Sequence, residues 1–524
     1  MSASERSSGG TWDAIVIGGG HNGLVAACYL GRAGRGVLLL EAASRLGGAL
    51  VTSDITPGYR VSTAAHFIEA MPRQIEKDLR LARHGLRFAR RPVETVLLSR
   101  DRNHLLLSAR RRELAALKQW NEADARAYGE LQARFAGYAK ALAPLFGEPM
   151  TGSLQSRLRR LVWRAESLGS SMFEEMLHDL AGSIGDLVES RFTTDAFRAA
   201  VAFEAVLGTA EGPFAPGTAL RLAIREAMRV GAAGRSVPLG RAGGFIAALA
   251  RAADAHGVVP RTSSPVAAIR VEDGVANAVV TAAGEICEAP LILSSADPRH
   301  TMLDLLGAEH LDAGATRRVS GIAARGATAK LNLALDGLPA IPGLAPAHHG
   351  ARLLVVPSLE ELDQAYLGFK RGEVPLEPVM EVTIPSIDDA TLAPEGQHVM
   401  SILVQYVPYE VKGGWGGQRD GFVARVVDRL SVHAPDLRQR IVAGELLLPS
   451  DIEAKFGLAG GEWSQGAMRP DQLLLFRPTP EFSGMRTTVK GLYLCGAGSH
   501  PGGGVSGLPG RFAAELALSG GRGG

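Results

Sequence analysis

Cysteine is scarce in this sequence: three stand among 524 residues, and Cys28, Cys287 and Cys495 lie far apart. No Cys-x-x-Cys pair exists, so redox-active dithiol chemistry is excluded, and the sparsity fits a reducing, cytoplasmic setting. Neither sign of charge prevails. The 56 Lys and Arg nearly cancel the 54 Asp and Glu, leaving a net charge of +2 and no concentrated basic face for nucleic acid. No uninterrupted apolar run approaches the roughly 18–20 residues that cross a bilayer. The first residues, Met1 to Thr11, are polar and lack the apolar stretch of a secretory signal. The tails at residues 2–10 and 519–524, rich in serine and glycine, read as frayed ends. There is no His-Glu-x-x-His, no metal-ligand spacing and no serine-triad context, so hydrolase and metalloenzyme readings have no residues to rest on and no metal site is expected.

What is present has the ordinary mix of a globular protein, 46% hydrophobic and 21% charged, in a chain too long for one compact core. Ala14-Ile15-Val16-Ile17 is a short apolar run of the kind that forms a buried parallel strand. It enters Gly18-Gly19-Gly20-His21-Asn22-Gly23, which contains Gly-x-Gly-x-x-Gly, and a helix-like stretch with Leu24, Ala27 and Leu30 on one face follows. A second apolar run, Val37 to Leu40, ends in Glu41. Each part has a physical role in holding an adenine dinucleotide. Gly18 permits the tight turn, Gly20 lets the backbone approach the pyrophosphate, and Gly23 lets helix and strand pack closely. The helix opening at His21 and Asn22 offers free N–H groups to the phosphates, and the Glu41 carboxylate can accept hydrogen bonds from ribose hydroxyls.

The segment after Glu41, Ala42-Ala43-Ser44-Arg45-Leu46-Gly47-Gly48, resembles the extended motif of glutathione-reductase-type FAD enzymes, in the amine-oxidase and carotenoid-desaturase branch. Its glycine pair lets the chain pass close to the ligand, and Arg45 can offset phosphate charge. Near the other end, Tyr493-Leu494-Cys495-Gly496-Ala497-Gly498-Ser499-His500-Pro501-Gly502-Gly503-Gly504-Val505-Ser506-Gly507 is similar to the C-terminal FAD signature of phytoene-desaturase-type proteins. The three-glycine form is closest to the branch named for pyridine nucleotide-disulfide oxidoreductase domain-containing protein 2. Pro216-Gly217-Thr218-Ala219, Ser294-Ser295-Ala296-Asp297-Pro298 and Leu475-Phe476-Arg477-Pro478 extend the resemblance along nearly the whole chain.

The resemblance implies an α/β fold. A glutathione-reductase-type Rossmann FAD-binding domain is expected from residues 12–71, 236–310 and 476–518, with an inserted α+β substrate domain from 72–235, which is helix-rich, and 311–475. It also implies one FAD, with the backbone at Val266 facing the adenine and Gly496, Gly498, Gly504 and Val505 lying along the ribityl chain and flavin. Where carotenoid desaturases often carry Asp-x-Gly-Pro, this chain has Val61-Ser62-Thr63-Ala64-Ala65-His66, which argues against a carotenoid substrate.

A flavin takes a hydride at its N5, so no side-chain nucleophile is required. His66, after what reads as the third strand, and His500, inside the C-terminal loop, are the candidate catalytic residues. Either can give or take a proton near neutrality, or simply hydrogen-bond the backbone or FAD. Tyr406, Tyr409 and Trp415 can line an apolar pocket or serve as core, and His348-His349 reads as a solvated turn. A second strand–Gly-x-Gly-x-x-Gly–helix unit is missing, since Pro501 follows Gly496-x-Gly498 where the third glycine belongs. Oxygen, a quinone or another diffusible acceptor is therefore expected to reoxidise the flavin.

The expected activity is that of an FAD-dependent desaturase or dehydrogenase acting on a lipophilic C–C bond. The alternatives are a flavin-dependent isomerase or saturase, an amine oxidase, or a non-catalytic FAD-bound assembly protein. Residues 154–164 place Arg157, Arg159, Arg160 and Arg164 opposite Leu and Trp, a pattern for peripheral membrane contact or for a solvated face over the protein's own core. Substrate identity and oligomeric state are left open by the sequence.

Overall fold

The computed structural model describes residues 11–90, 92–107, 117, 120–166, 169–232 and 234–520. The tail residues 2–10 and 521–524 lie outside the described residues. The apolar runs form a five-stranded parallel sheet in the order Leu492–Leu494, Ile292–Ser294, Ala14–Ile17, Val37–Leu40, Val259–Arg261. These strands read as continuous apolar runs because both faces of the sheet are covered. Ala14, Val16, Leu39 and Leu293 pack against the helices His21–Arg32, Arg241–Ala255 and Leu508–Gly520. On the opposite face Ile15, Ile17, Leu38, Leu40 and Ile292 meet Ile269, Ala276 and Val279 of a three-stranded antiparallel sheet, Val266–Glu272, Val275–Thr281 and Ile286–Glu288.

The strand that precedes His66 is not the third strand of the parallel sheet. Tyr59–Ser62 forms an antiparallel hairpin with Thr52–Thr56, and the place beside Val37–Leu40 is taken by Val259–Arg261, more distant in sequence. A hairpin carrying polar residues such as Asp54 and Arg60 suits a surface over the cavity rather than a sheet interior.

A second body is built on a seven-stranded mixed sheet, in the order Ile441–Leu447, Thr328–Leu335, His398–Gln405, Val379–Thr383, Arg352–Val355, Thr95–Leu97, Leu105–Leu107. One face of it carries the helices Arg419–Ser431 and Leu437–Arg440, through Phe422, Val426 and Leu437. The other meets the helical segment, where Glu122–Gly147 buries Tyr128, Leu131, Phe135 and Tyr138 on one stripe and packs with Asp195–Val206 and Thr218–Arg229. The helix-rich segment thus also supplies the strands Thr95–Leu97 and Leu105–Leu107 to the far edge of this sheet. Three-residue strands carry too little alternation to stand out from a sequence.

The first helix is held from two sides by glycines. A Cβ on Gly23 would lie 2.0 Å from the Gly18 carbonyl oxygen, and one on Gly510 would lie 2.0 Å from that of Asn22. Both contacts press backbone on backbone, so no side chain can move to relieve them. Gly510→Ala is accordingly expected to cost about 1–3 kcal/mol of stability by overpacking, read as a lowered melting temperature of purified protein.

Candidate functional site

A cavity of about 760 Å³ runs from the glycine loop at the first helix to the seven-stranded sheet. At its outer end Gly18 turns with φ of +92°, and a Cβ there would meet Ser295 Oγ at 2.5 Å. Gly20 caps the first helix with no side-chain hydrogen bond, and an added Cβ there meets nothing within 4 Å. Open space over a bare helix N-terminus is where a phosphate group is best accommodated. The glycine pair Gly47-Gly48 belongs to the same cradle: Gly47 donates its N–H to Gly19 O at 2.9 Å, and a Cβ on Gly48 would lie 3.4 Å from Gly20 Cα.

Glu41 accepts from Gly19 N at 2.6 Å and from Ala43 N at 2.8 Å, which fixes its carboxylate at the wall of the cavity. Asn22 Oδ1 is buried there without a partner. His21 also lines this end, and burial pulls its imidazole down to about 4, so it is neutral. Arg45 and Val266 complete the wall. An orphaned amide oxygen, a free helix N-terminus and an unfilled glycine surface together fit an adenine dinucleotide.

Gly503, Gly504 and Val505 of the C-terminal loop form part of the wall near Ala70 and Met468. Val505 holds a φ of +51°, a strained conformation for a β-branched residue. The other members of the motifs stand behind the wall. Gly23 packs on Gly18, while Cβ atoms on Gly496 and Gly498 would collide with Ser295 O at 2.5 Å and with Pro298 at 2.3 Å. In this structure their tightness serves close packing, while Ala497 between Gly496 and Gly498 lines the cavity.

The two candidate histidines part company. His66 lines the cavity, and its Nδ1 lies 3.1 Å from Thr383 Oγ1 while Nε2 is buried without a partner. Burial, reinforced by the positive Arg241 and Arg352, holds its imidazole well below the usual range. His500 is corrected: it does not line the cavity. It is buried between Phe146 and Phe512, with Nε2 3.2 Å from Glu148 O. Sequence proximity to the glycine loop is outweighed by a turn that directs the ring into the helical core. The aromatic candidates likewise resolve as packing or lie away from the cavity. Tyr406 packs against Tyr366 and Phe369, and Trp415 against Phe422. Tyr409 does not line the cavity either.

At the inner end the cavity meets charged groups that the sequence analysis did not single out. Glu381, two residues before Thr383 on one strand face, lines it beside His66 and pairs with Arg352. Arg221, Arg225 and Arg229 line it from the Thr218–Arg229 helix, with Glu69 opposite. Burial pushes the Glu69 carboxyl up, but Arg235, Arg229 and Arg225 overcome this and leave it well below the ordinary range. Lys330 is fully buried on the strand Thr328–Leu335, one strand removed, with Nζ unpartnered among the described residues, and burial outweighs Glu381 to hold its amine well below the usual lysine range. The available signal was the i, i+4, i+8 spacing of three arginines on a helix whose other residues, Thr218 and Glu226 apart, are apolar. Leu207, Met228, Leu403, Trp463 and Met468 supply the apolar part of this end.

The NAD(P)-binding Rossmann-like domain matches residues 16–80 of the chain. Pyridine nucleotide-disulfide oxidoreductase domain-containing protein 2 of Rattus norvegicus is 35% identical over 540 residues, covering 96% of this chain and 93% of its own length. The neurosporene-forming phytoene desaturase of Cereibacter sphaeroides is 27% identical over 52% of this chain and 51% of its own. Among solved structures, putrescine oxidase bound to putrescine superposes with a TM-score of 0.61 at 13% identity, over 97% of this chain and 98% of that one, a likeness of fold. With a glycine cradle of the required geometry and a relative of that identity along almost its entire length, the chain belongs to the family of pyridine nucleotide-disulfide oxidoreductase domain-containing protein 2, within the FAD-dependent oxidoreductases of the amine-oxidase and carotenoid-desaturase superfamily.

Proposed function

We propose that the chain holds one FAD along the cavity and acts as a dehydrogenase or desaturase on a C–C bond of a substrate with an apolar body. The observation that carries the reading is a single cavity that joins the bare helix N-terminus at Gly20 to the apolar residues Leu207, Leu403 and Trp463. The first-helix amides would receive the pyrophosphate, Glu41 the ribose, and the Gly503–Val505 loop the ribityl and ring portion. FAD bound there supplies a two-electron acceptor for hydride. The apolar walls hold the substrate and exclude water. His66, neutral and with Nε2 free of protein partners, is the group able to accept a proton at the inner end. Oxygen, a quinone or another diffusible acceptor would reoxidise the cofactor. A relative named for phytoene desaturation supports C–C chemistry. The amine-oxidase alternative is disfavoured by charge, since Arg221, Arg225 and Arg229 around the inner end repel a cationic amine.

Peripheral membrane contact is proposed alongside. No helix among the described residues is long and apolar enough to cross a membrane. On the Leu154–Glu166 helix, however, Leu158, Val162 and Trp163 are exposed by 46%, 51% and 67%. Arg159 is exposed beside them, the pairing that seats a helix on an anionic lipid surface. The side chains of Leu154, Arg157, Leu161 and Arg164 lie outside the described residues.

Three outcomes check these readings. Gly20→Val leaves the fold intact, because nothing lies within 4 Å of the added Cβ, yet fills the cradle; its flavin content after purification falls far below wild type while the apoprotein melts unchanged. Lys330→Met raises the melting temperature at neutral pH. Burial lowers the amine's affinity for its proton in the folded state, so the lysine costs stability at pH values below the unfolded value of 10.5. The advantage of the variant narrows as pH rises towards that value. Leu158→Ser with Trp163→Ser lowers co-sedimentation with anionic vesicles without changing flavin content.

A further inference from the structure

The three arginines of the Thr218–Arg229 helix are not equivalent. Spaced i, i+4 and i+8, they rise in steps of about 6 Å along one face. Arg229 is paired with Glu69 at 2.7 Å and Glu226 at 2.6 Å. Arg225 donates to Glu204 O at 2.7 Å and stands 3.6 Å from Glu69. Arg221 has neither a hydrogen bond nor an ion pair among the described residues, and its Nε is buried without an acceptor, although it lines the cavity.

The surrounding charge does not balance. Arg221, Arg225, Arg229, Arg235 and Arg352 converge here on Glu69, Glu204 and Glu381, with Glu226 at the periphery. Glu462, which acts on Arg221 from behind the wall, is itself raised to about 7 by burial. Burial and the neighbouring Arg225 pull the Arg221 guanidinium down to about 9, so it still carries its charge at neutral pH. Arg221 is part-exposed to the cavity with its Nε closed off from solvent; a cation so placed without a counter-ion is costly, and is retained where a ligand supplies the missing charge. The dinucleotide's phosphates already have their own donors at the far end, in the first-helix amides.

We propose that Arg221, flanked by Arg225, binds a carboxylate of the substrate at the inner end of the cavity, so that the substrate is an organic acid with an apolar body. The planar guanidinium can take a carboxylate through two parallel N–H donors. Met228, Leu403, Trp463 and Met468 would then cover the hydrocarbon portion. This rests on the FAD-dependent reading above and narrows its substrate class. The same charge that disfavours an amine selects an acid over the alcohol or ester of equal length.

The test uses the FAD-loaded protein and its Arg221→Met and Arg221→Lys variants, titrated with decanoate, decan-1-ol and decylamine while the visible spectrum of the bound flavin is followed. Decanoate is expected to perturb the wild-type spectrum at lower concentration than either neutral or cationic analogue. Its affinity should fall roughly ten- to hundredfold in Arg221→Met, with Arg221→Lys intermediate and the flavin-to-protein ratio unchanged in both. If Arg221→Met fails to fold, Arg221→Lys carries the test, since it keeps the charge and loses the planar fork. Equal binding of decanoate and decan-1-ol, unchanged decanoate affinity in the variants, or no response to any probe overturns the proposal. Loss of flavin from a folded Arg221 variant also overturns it and assigns the residue to the cofactor. Wild-type protein that takes up no flavin would instead bring down the underlying reading.

Discussion

The architecture depends on the first turn of the His21–Arg32 helix lying against bare backbone on two sides. Gly23 rests on the carbonyl of Gly18, and Gly510 of the C-terminal helix rests on that of Asn22. Close approach brings the helix axis onto the sheet edge, so its N-terminal amides open directly above the Gly18–Gly20 turn. Placing those amides at the end of a cavity, rather than against a capping side chain, is what makes the site polarised at one end.

The opposite end is polarised differently. There, pairs such as Arg352 with Glu381 and Arg235 with Glu69 and Glu204 are held between the helical layer and the seven-stranded sheet. Pairs of this kind contribute little net stability, because dehydrating each ion offsets their attraction, but removing one partner is expensive. They are rigid for that reason. His66 and Lys330, whose charged forms burial disfavours, stand among them, so the inner end combines fixed charges with groups whose protonation burial opposes. That is an environment in which a ligand's charge and polarity are read sharply.

Much of the dinucleotide lobe was legible in the sequence because its signals are local. Strand, glycine turn, helix, second strand and Glu41 follow one another within thirty residues, and Gly18 and Gly23 perform steric tasks that no other residue can. The hairpin at Val266–Thr281 turns at Glu272-Asp273-Gly274, and the helix Glu122–Gly147 carries an apolar stripe, signals that are local in the same way. Long-range partners were not. Nothing in Val259-Pro260-Arg261 announces that it completes the sheet beside Val37–Leu40, and three-residue strands at 95–107 carry no usable period. The inner end was missed because its charges come from separate elements and look like solvated surface until the helix and sheet close over them. His500 misled for the converse reason: its motif is local, but the direction of its ring is set by Phe146, far away in the chain.

The parallel sheet has a consequence for biosynthesis. Its edge strand, Leu492–Leu494, and the helix that locks the first turn, Leu508–Gly520, lie far along the chain from the glycine turn, so a ribosome releases them long after it. The glycine turn emerges early yet cannot be clamped until Gly510 follows about 490 residues later, so an emerging chain carries an unfinished cradle over that interval. Assembly of the cradle is thereby tied to synthesis of the Gly510 segment, and a chain that stops short of it lacks the clamp on the first helix.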